Sequence, residues 1–127
     1  MPESYELIVE RSFSAAHCLR GYQGDCARVH GHNYKVEVSV VGETLLPTGF
    51  VLDFGDLKTR LDDVLGVMDH RMLNDLPTFA DCNPTAENIA RVIYHSLVSV
   101  LEGTDTCMSF VRVWETPAQS CTYRVTA

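Results

Sequence analysis

Residues 33 to 42 read NYKVEVSVVG. Val36, Val38 and Val40 fall on one side of this segment and Lys35, Glu37 and Ser39 on the other, the period-two alternation of a half-buried strand. Upstream, residues 5 to 13 (YELIVERSF) alternate in the same way, Leu7 and Val9 against Glu6 and Glu10. A Gly-containing loop, residues 18 to 29, separates the two strands and is long enough to carry function. Downstream the period changes. Residues 50 to 54 (FVLDF) predict a short extended piece, with Asp53 as N-cap of a helix over residues 55 to 67. The stripe of that helix is Leu57, Leu61, Val64, Leu65 and Met68. Residues 69 to 83 read as a loop. Asn83-Pro84-Thr85 then opens a second helix, with Pro84 suited to the first helical position and Asn83 or Thr85 to the cap. Its stripe is Ile89, Ile93, Leu97, Val100 and Leu101. Residues 108 to 115 (MSFVRVWE) and 119 to 126 (QSCTYRVT) predict two closing strands. The order ββααββ implies an α+β fold, an antiparallel sheet covered on one face by both helices.

At 127 residues the chain fits one domain, residues 1–127, able to fold without staples. No apolar run reaches the length of a membrane span. No basic stretch precedes an apolar core at the N-terminus, so no secretory signal is expected and the expected location is cytoplasmic. Five cysteines without a CxxC pair read as thiols in that compartment rather than a disulfide framework. A net charge of −7 argues against a nucleic-acid partner, although a local basic pocket for a small anion is compatible with it.

The strongest chemical signal is His17 with His30-Gly31-His32. Residues i and i+2 of a strand share a face, so His30 and His32 project together, and His17 sits just past the end of the first strand. If the two strands pair, three imidazoles converge. Three of the five histidines fall within 16 residues at H-x-H spacing. Three neutral imidazoles can form a zinc site with a fourth position open; the other reading is three unrelated polar loop residues, and the H-x-H spacing favours the metal. Cys26, four residues before His30, reads in three ways: a fourth zinc ligand, a free thiol beside the metal and Arg28, or a small loop residue. Asp69-His70 closes the first helix, where a histidine also suits the macrodipole. Glu115 shares the strand face of Val111 and Val113. It is either a buried acceptor for a ligand with adjacent N–H donors or a residue at the frayed strand end. His95 lies opposite the stripe of the second helix and reads as solvated. Cys18, Cys82, Cys107 and Cys121 have no ligand spacing, and the tyrosines form no stacking platform.

Six segments together resemble the 6-pyruvoyltetrahydropterin synthase family over nearly the whole chain. They are F-S-A-A-H (Phe13 to His17), C-x-x-x-H-G-H-N-Y (Cys26 to Tyr34), D-F (Asp53, Phe54), D-H (Asp69, His70), N-P-T-x-E-N (Asn83 to Asn88) and V-W-E-T (Val113 to Thr116). Each is modest alone; six in the family's order are specific. The resemblance implies the tunnelling fold (T-fold). Its strands form a trimeric barrel, and two trimers stack into a homohexamer with active sites at subunit interfaces. It further implies Zn2+ on His17, His30 and His32, Cys26 as proton acceptor, Asp69 and His70 as an acid–base dyad, and Glu115 as pterin anchor. Thr85 and Glu87 match positions near the pterin pocket.

Within that family, C-x3-H-G-H spacing is similar to the type that makes 6-carboxytetrahydropterin for queuosine and other 7-deazapurines. A longer spacing marks the pyruvoyl type, and a third type carries glutamate where this chain has Cys26. The implied substrate is 7,8-dihydroneopterin 3′-triphosphate. Arg11, Arg28, Lys35 and Arg71 are candidates for its triphosphate. A non-catalytic zinc-binding oligomer, with Cys26 completing a closed site, is the competing class.

Overall fold

The two alternating segments pair as one long antiparallel hairpin, β1 (Tyr5–His17) against β2 (His30–Gly42). The register runs from Tyr5 opposite Gly42 to His17 opposite His30. The computed structural model describes residues 3–126. After the hairpin come α1 (Phe54–Leu65), the two-residue β3 (Arg71–Met72), α2 (Ala86–Val100), β4 (Thr106–Thr116) and β5 (Gln119–Tyr123). The sheet order is β3-β1-β2-β4-β5. All neighbours are antiparallel except β3, which runs parallel to β1 beside Ala15 and Ala16. The segment expected to be a plain loop therefore supplies a fifth strand, too short to leave a periodic signal.

Alternation decides which face is covered. Val36, Val38, Val40, Val111 and Val113 have no exposed surface and pack with Leu57, Leu61, Ile89, Ile93 and Leu97 from the helices. Burying each such side chain contributes about 1.5–3 kcal/mol relative to leaving it in water. Both helices thus lie on one face. Val100, expected in the stripe of α2, is exposed, and Leu101 beyond the helix end takes the buried place. Ser39 was expected on the polar face, yet it is fully buried beside a β-bulge between Ser39 and Val40.

Several boundaries differ from expectation. Residues 50 to 53 form no strand; Asp53 caps α1 by accepting from the N–H groups of Gly55 and Asp56. Thr85 caps α2, its hydroxyl accepting from the Asn88 N–H, so Pro84 stands before the cap rather than inside the helix. The last strand stops at Tyr123, opposite Val111, and Arg124 lies over the Phe110 ring.

Candidate active site

β1 runs four residues further than the alternation predicts and ends on His17 itself. That extension places His17 directly across from His30, and Ala15 across from His32. Ala15 is small, which leaves room over the sheet for the three rings. One ligand nitrogen from each of His17, His30 and His32 lies within 4.8 Å of the others. The backbone sets the tautomers. His17 Nδ1 donates to the Pro84 carbonyl at 2.7 Å, and His30 Nδ1 donates to the Arg28 carbonyl at 2.7 Å. A carbonyl only accepts, so each Nδ1 carries the hydrogen and each Nε2 presents a lone pair. The two Nε2 atoms face each other at 2.9 Å. His32 Nε2 is buried with no hydrogen-bond partner. Burial holds the His32 pKa below its ordinary value, outweighing the opposite pull of Glu115. Converging lone pairs and an orphaned buried nitrogen are what a cation relieves. These three residues could hold a metal ion. Tyr34 is fully buried beneath them, its ring stacked on Phe13 at 4.8 Å and its phenol held neutral by burial and by Glu115.

Cys26 lies in a single 3-10 turn, Asp25–Ala27, and is exposed. Its sulfur is not among the converging ligand atoms. Asp69 and His70 do not close α1, which ends at Leu65; they follow it and lead into β3. The Asp69 carboxylate accepts from the Ser14 backbone N–H at 2.9 Å and lies 3.0 Å from His70 Nδ1. The Ser14 N–H, then the His70 imidazole, hold the Asp69 pKa below its usual value. His70 has φ of 58°, a left-handed conformation, and its own N–H donates to the Ser14 carbonyl. His70 and Arg71 line a groove of about 500 Å3 with Ser14, Asn33 and His32.

Glu115 lies at the bulge where β4–β5 pairing shifts, and its side chain is 22% exposed rather than sealed among valines. Its Oε1 accepts from Gln119 Nε2 at 2.9 Å and sits 3.8 Å from His32 Nε2. Glu115, Glu87, Ala86, Gln119 and Ser120 enclose a separate hollow of about 200 Å3. Thr85 is part-buried at the cap of α2, one residue from that hollow. The fold thus brings Glu115 and Glu87 to one hollow, and His70 and Arg71 to the groove that His32 also lines.

The family described as 6-pyruvoyl tetrahydropterin synthase matches residues 6–126. The chain belongs to that family. A Bacillus subtilis relative named 6-carboxy-5,6,7,8-tetrahydropterin synthase is 40% identical, covering 97% of this chain and 87% of the relative. The 6-pyruvoyl tetrahydrobiopterin synthase of Poecilia reticulata is 35% identical, covering 90% and 86%. The solved structure of Caenorhabditis elegans 6-pyruvoyl tetrahydropterin synthase superposes with a TM-score of 0.87 at 33% identity, covering 98% of this chain and 97% of that one.

For a 6-pyruvoyl tetrahydropterin synthase family member, the site also depends on residues that carry no chemistry themselves. The Pro84 carbonyl orients His17, and Ser14 pins Asp69. Asn74 and Asn83 each bond to loop backbone after β1. Pro84 and Asn83 stand in the N-P-T-x-E-N segment, which was legible as a helix start and as a family motif but assigned neither of them a role. Asn74 carries no local signal, because its partner is remote in the chain.

Proposed function

We propose that this chain, as one catalytic domain, converts 7,8-dihydroneopterin 3′-triphosphate and water into 6-carboxy-5,6,7,8-tetrahydropterin, acetaldehyde and triphosphate. The observation that carries the reading is the His17, His30 and His32 cluster, with its orphaned nitrogen, 3.8 Å from a carboxylate that faces a small hollow. Zinc suits three imidazoles, and when bound there it supplies Lewis acidity toward the vicinal side-chain hydroxyls of the substrate. Glu115 accepts two hydrogen bonds from the aminopyrimidine edge, and Thr85 and Glu87 border the same pocket. Cys26, as thiolate, takes a proton from the side chain. His70 handles the complementary transfer, with Asp69 orienting its ring. Proton shifts reduce the ring at the expense of the side chain. Triphosphate leaves, and cleavage after the first side-chain carbon leaves that carbon as the carboxyl and the other two as acetaldehyde.

Geometry narrows the cations for the triphosphate. Arg11 is paired with Asp62 at 3.0 Å. Lys35 lies 3.6 Å from Glu37 and over the Trp114 ring at 5.0 Å. Arg71 lines the groove with His70, Ser14 and Asn33, which supports it for the triphosphate over Arg11 and Lys35, with exposed Arg28 the other candidate. The working form is a cytoplasmic homohexamer with sites at subunit interfaces, feeding queuosine or another 7-deazapurine. The carboxy product is favoured by C-x3-H-G-H spacing and by the Bacillus subtilis relative. A closed structural zinc site is disfavoured because Cys26 stands outside the ligand cluster. Mass spectrometry of products from dihydroneopterin triphosphate, without added cofactor, tests the reading. The 6-carboxy mass is expected; the 6-pyruvoyl mass as end product would move the chain to the pyruvoyl type.

A further inference from the structure

Residues 20–29 are almost entirely exposed, so burial does little to hold the loop that carries Cys26. Hydrogen bonds hold it instead. Asn74 Oδ1 accepts from the Cys18 N–H at 2.9 Å, and its Nδ2 donates to the Cys18 carbonyl at 2.9 Å. Asn83 does the same at Arg20, accepting from its N–H at 2.8 Å and donating to its carbonyl at 2.9 Å. Each amide imitates the edge of a neighbouring strand. Between the two clamped residues, the Leu19 N–H donates to the Cys26 carbonyl at 2.9 Å.

The clamps are themselves anchored. Asn74 sits in the turn Leu73–Asp75, whose Leu73 is fully buried. The Asn83 carbonyl accepts from Asn88 Nδ2 and the Thr85 N–H, both at 2.8 Å, tying it to the start of α2. Arg20 adds guanidinium bonds to the carbonyls of Phe79 and Cys82. Beyond the turn, His30 Nδ1 ties the Arg28 carbonyl back to the histidine cluster. Among the described residues, the remaining backbone bonds of this turn are internal, Ala27 to Gly24 and Arg28 to Asp25.

We propose that Asn74 and Asn83 are positioning residues for Cys26, acting through the backbone of Cys18, Leu19 and Arg20; this rests on the role proposed above for Cys26. A displacement of ~1 Å at a reacting group costs about a hundredfold in rate, and two rigid amides on alternate residues resist such a displacement.

The test uses the zinc-loaded enzyme and dihydroneopterin triphosphate. Asn74→Ala and Asn83→Ala should each lower kcat about a hundredfold while KM stays within about threefold and zinc content is unchanged. Hydrogen exchange should show the Leu19 amide losing protection while Val9 and Val38 amides keep theirs. The deciding readout is a cycle with Cys26→Ala in single-turnover reactions. If Asn74 works through Cys26, removing it in the Cys26→Ala background costs less than about twofold more. Wild-type kcat in both asparagine variants, or a full additional loss in the Cys26→Ala background, would overturn the proposal. Should Asn74→Ala fail to fold, Asn74→Asp carries the same cycle, since it keeps the acceptor for Cys18 N–H and removes the donor. A Cys26→Ala enzyme with wild-type rate would instead sink the role of Cys26, and the clamp with it.

Discussion

Replacing Glu115 with glutamine isolates what the carboxylate contributes. A carboxylate offers about four acceptor sites. In the structure Oε1 accepts one bond, from Gln119 at 2.9 Å, and the hollow of about 200 Å3 lies beside it. A pterin presenting two adjacent N–H donors makes two charge-assisted bonds there, each contributing about 1.5–3 kcal/mol. Glutamine offers one oxygen, already engaged by Gln119, and turns an N–H group toward the ligand's own donors. One bond is lost and the charge assistance of the other disappears, about 3 kcal/mol together, or roughly a hundredfold in affinity. The fold should not share the loss. The side chain is 22% exposed, so its charge is already partly solvated, and the melting temperature should move by no more than about 4 °C. Isothermal titration calorimetry with a reduced pterin on the zinc-loaded protein measures the first quantity, and thermal unfolding the second. Affinity within about twofold of the unsubstituted chain, at equal zinc content, would refute the reasoning and remove Glu115 from the site.

Three further outcomes follow from particular contacts. His30→Ala removes one of three converging nitrogens, so metal analysis should show zinc falling from roughly one per chain to a small fraction; full occupancy would contradict the site. Asp69 has a depressed folded pKa, so its stabilisation is present above its unfolded value of about 3.9 and lost as pH falls through the folded value. The stability gap between the unsubstituted chain and Asp69→Asn should therefore be constant near neutrality and shrink below about pH 4, as read by denaturant unfolding across pH; a gap independent of pH would contradict this. Arg71→Gln should abolish inhibition by inorganic tripolyphosphate and raise KM for the triphosphate substrate about tenfold or more, whereas unchanged inhibition would move the anion elsewhere.

The valine alternation of residues 33 to 42 made the covered sheet legible, and the H-x-H spacing on the same strand made the histidine cluster legible. Both are local periodicities, and backbone geometry converts them directly into faces. What was not legible is non-local or conformational. β3 is two residues long and pairs in parallel with a strand from the start of the chain. The extension of β1 to His17 depends on its partner across the hairpin, because Ser14-Ala15-Ala16 has little alternation of its own. His70 takes a left-handed conformation that nothing in its residue type demands, and α1 ends at Leu65, well before it. The role of the Pro84 carbonyl in orienting His17 was not legible although its segment was, since a backbone acceptor has no sequence signature. Glu115 was readable as a carboxylate out of place among valines, but the bulge that opens it toward His32 was not.

The most direct test of the central claim is the ratio of acetaldehyde to triphosphate released from 7,8-dihydroneopterin 3′-triphosphate by the zinc-loaded enzyme. Carbon–carbon cleavage after triphosphate loss requires one acetaldehyde for every triphosphate, with both rates falling together in Cys26→Ala. Triphosphate released at the enzyme's normal rate without acetaldehyde would contradict the account.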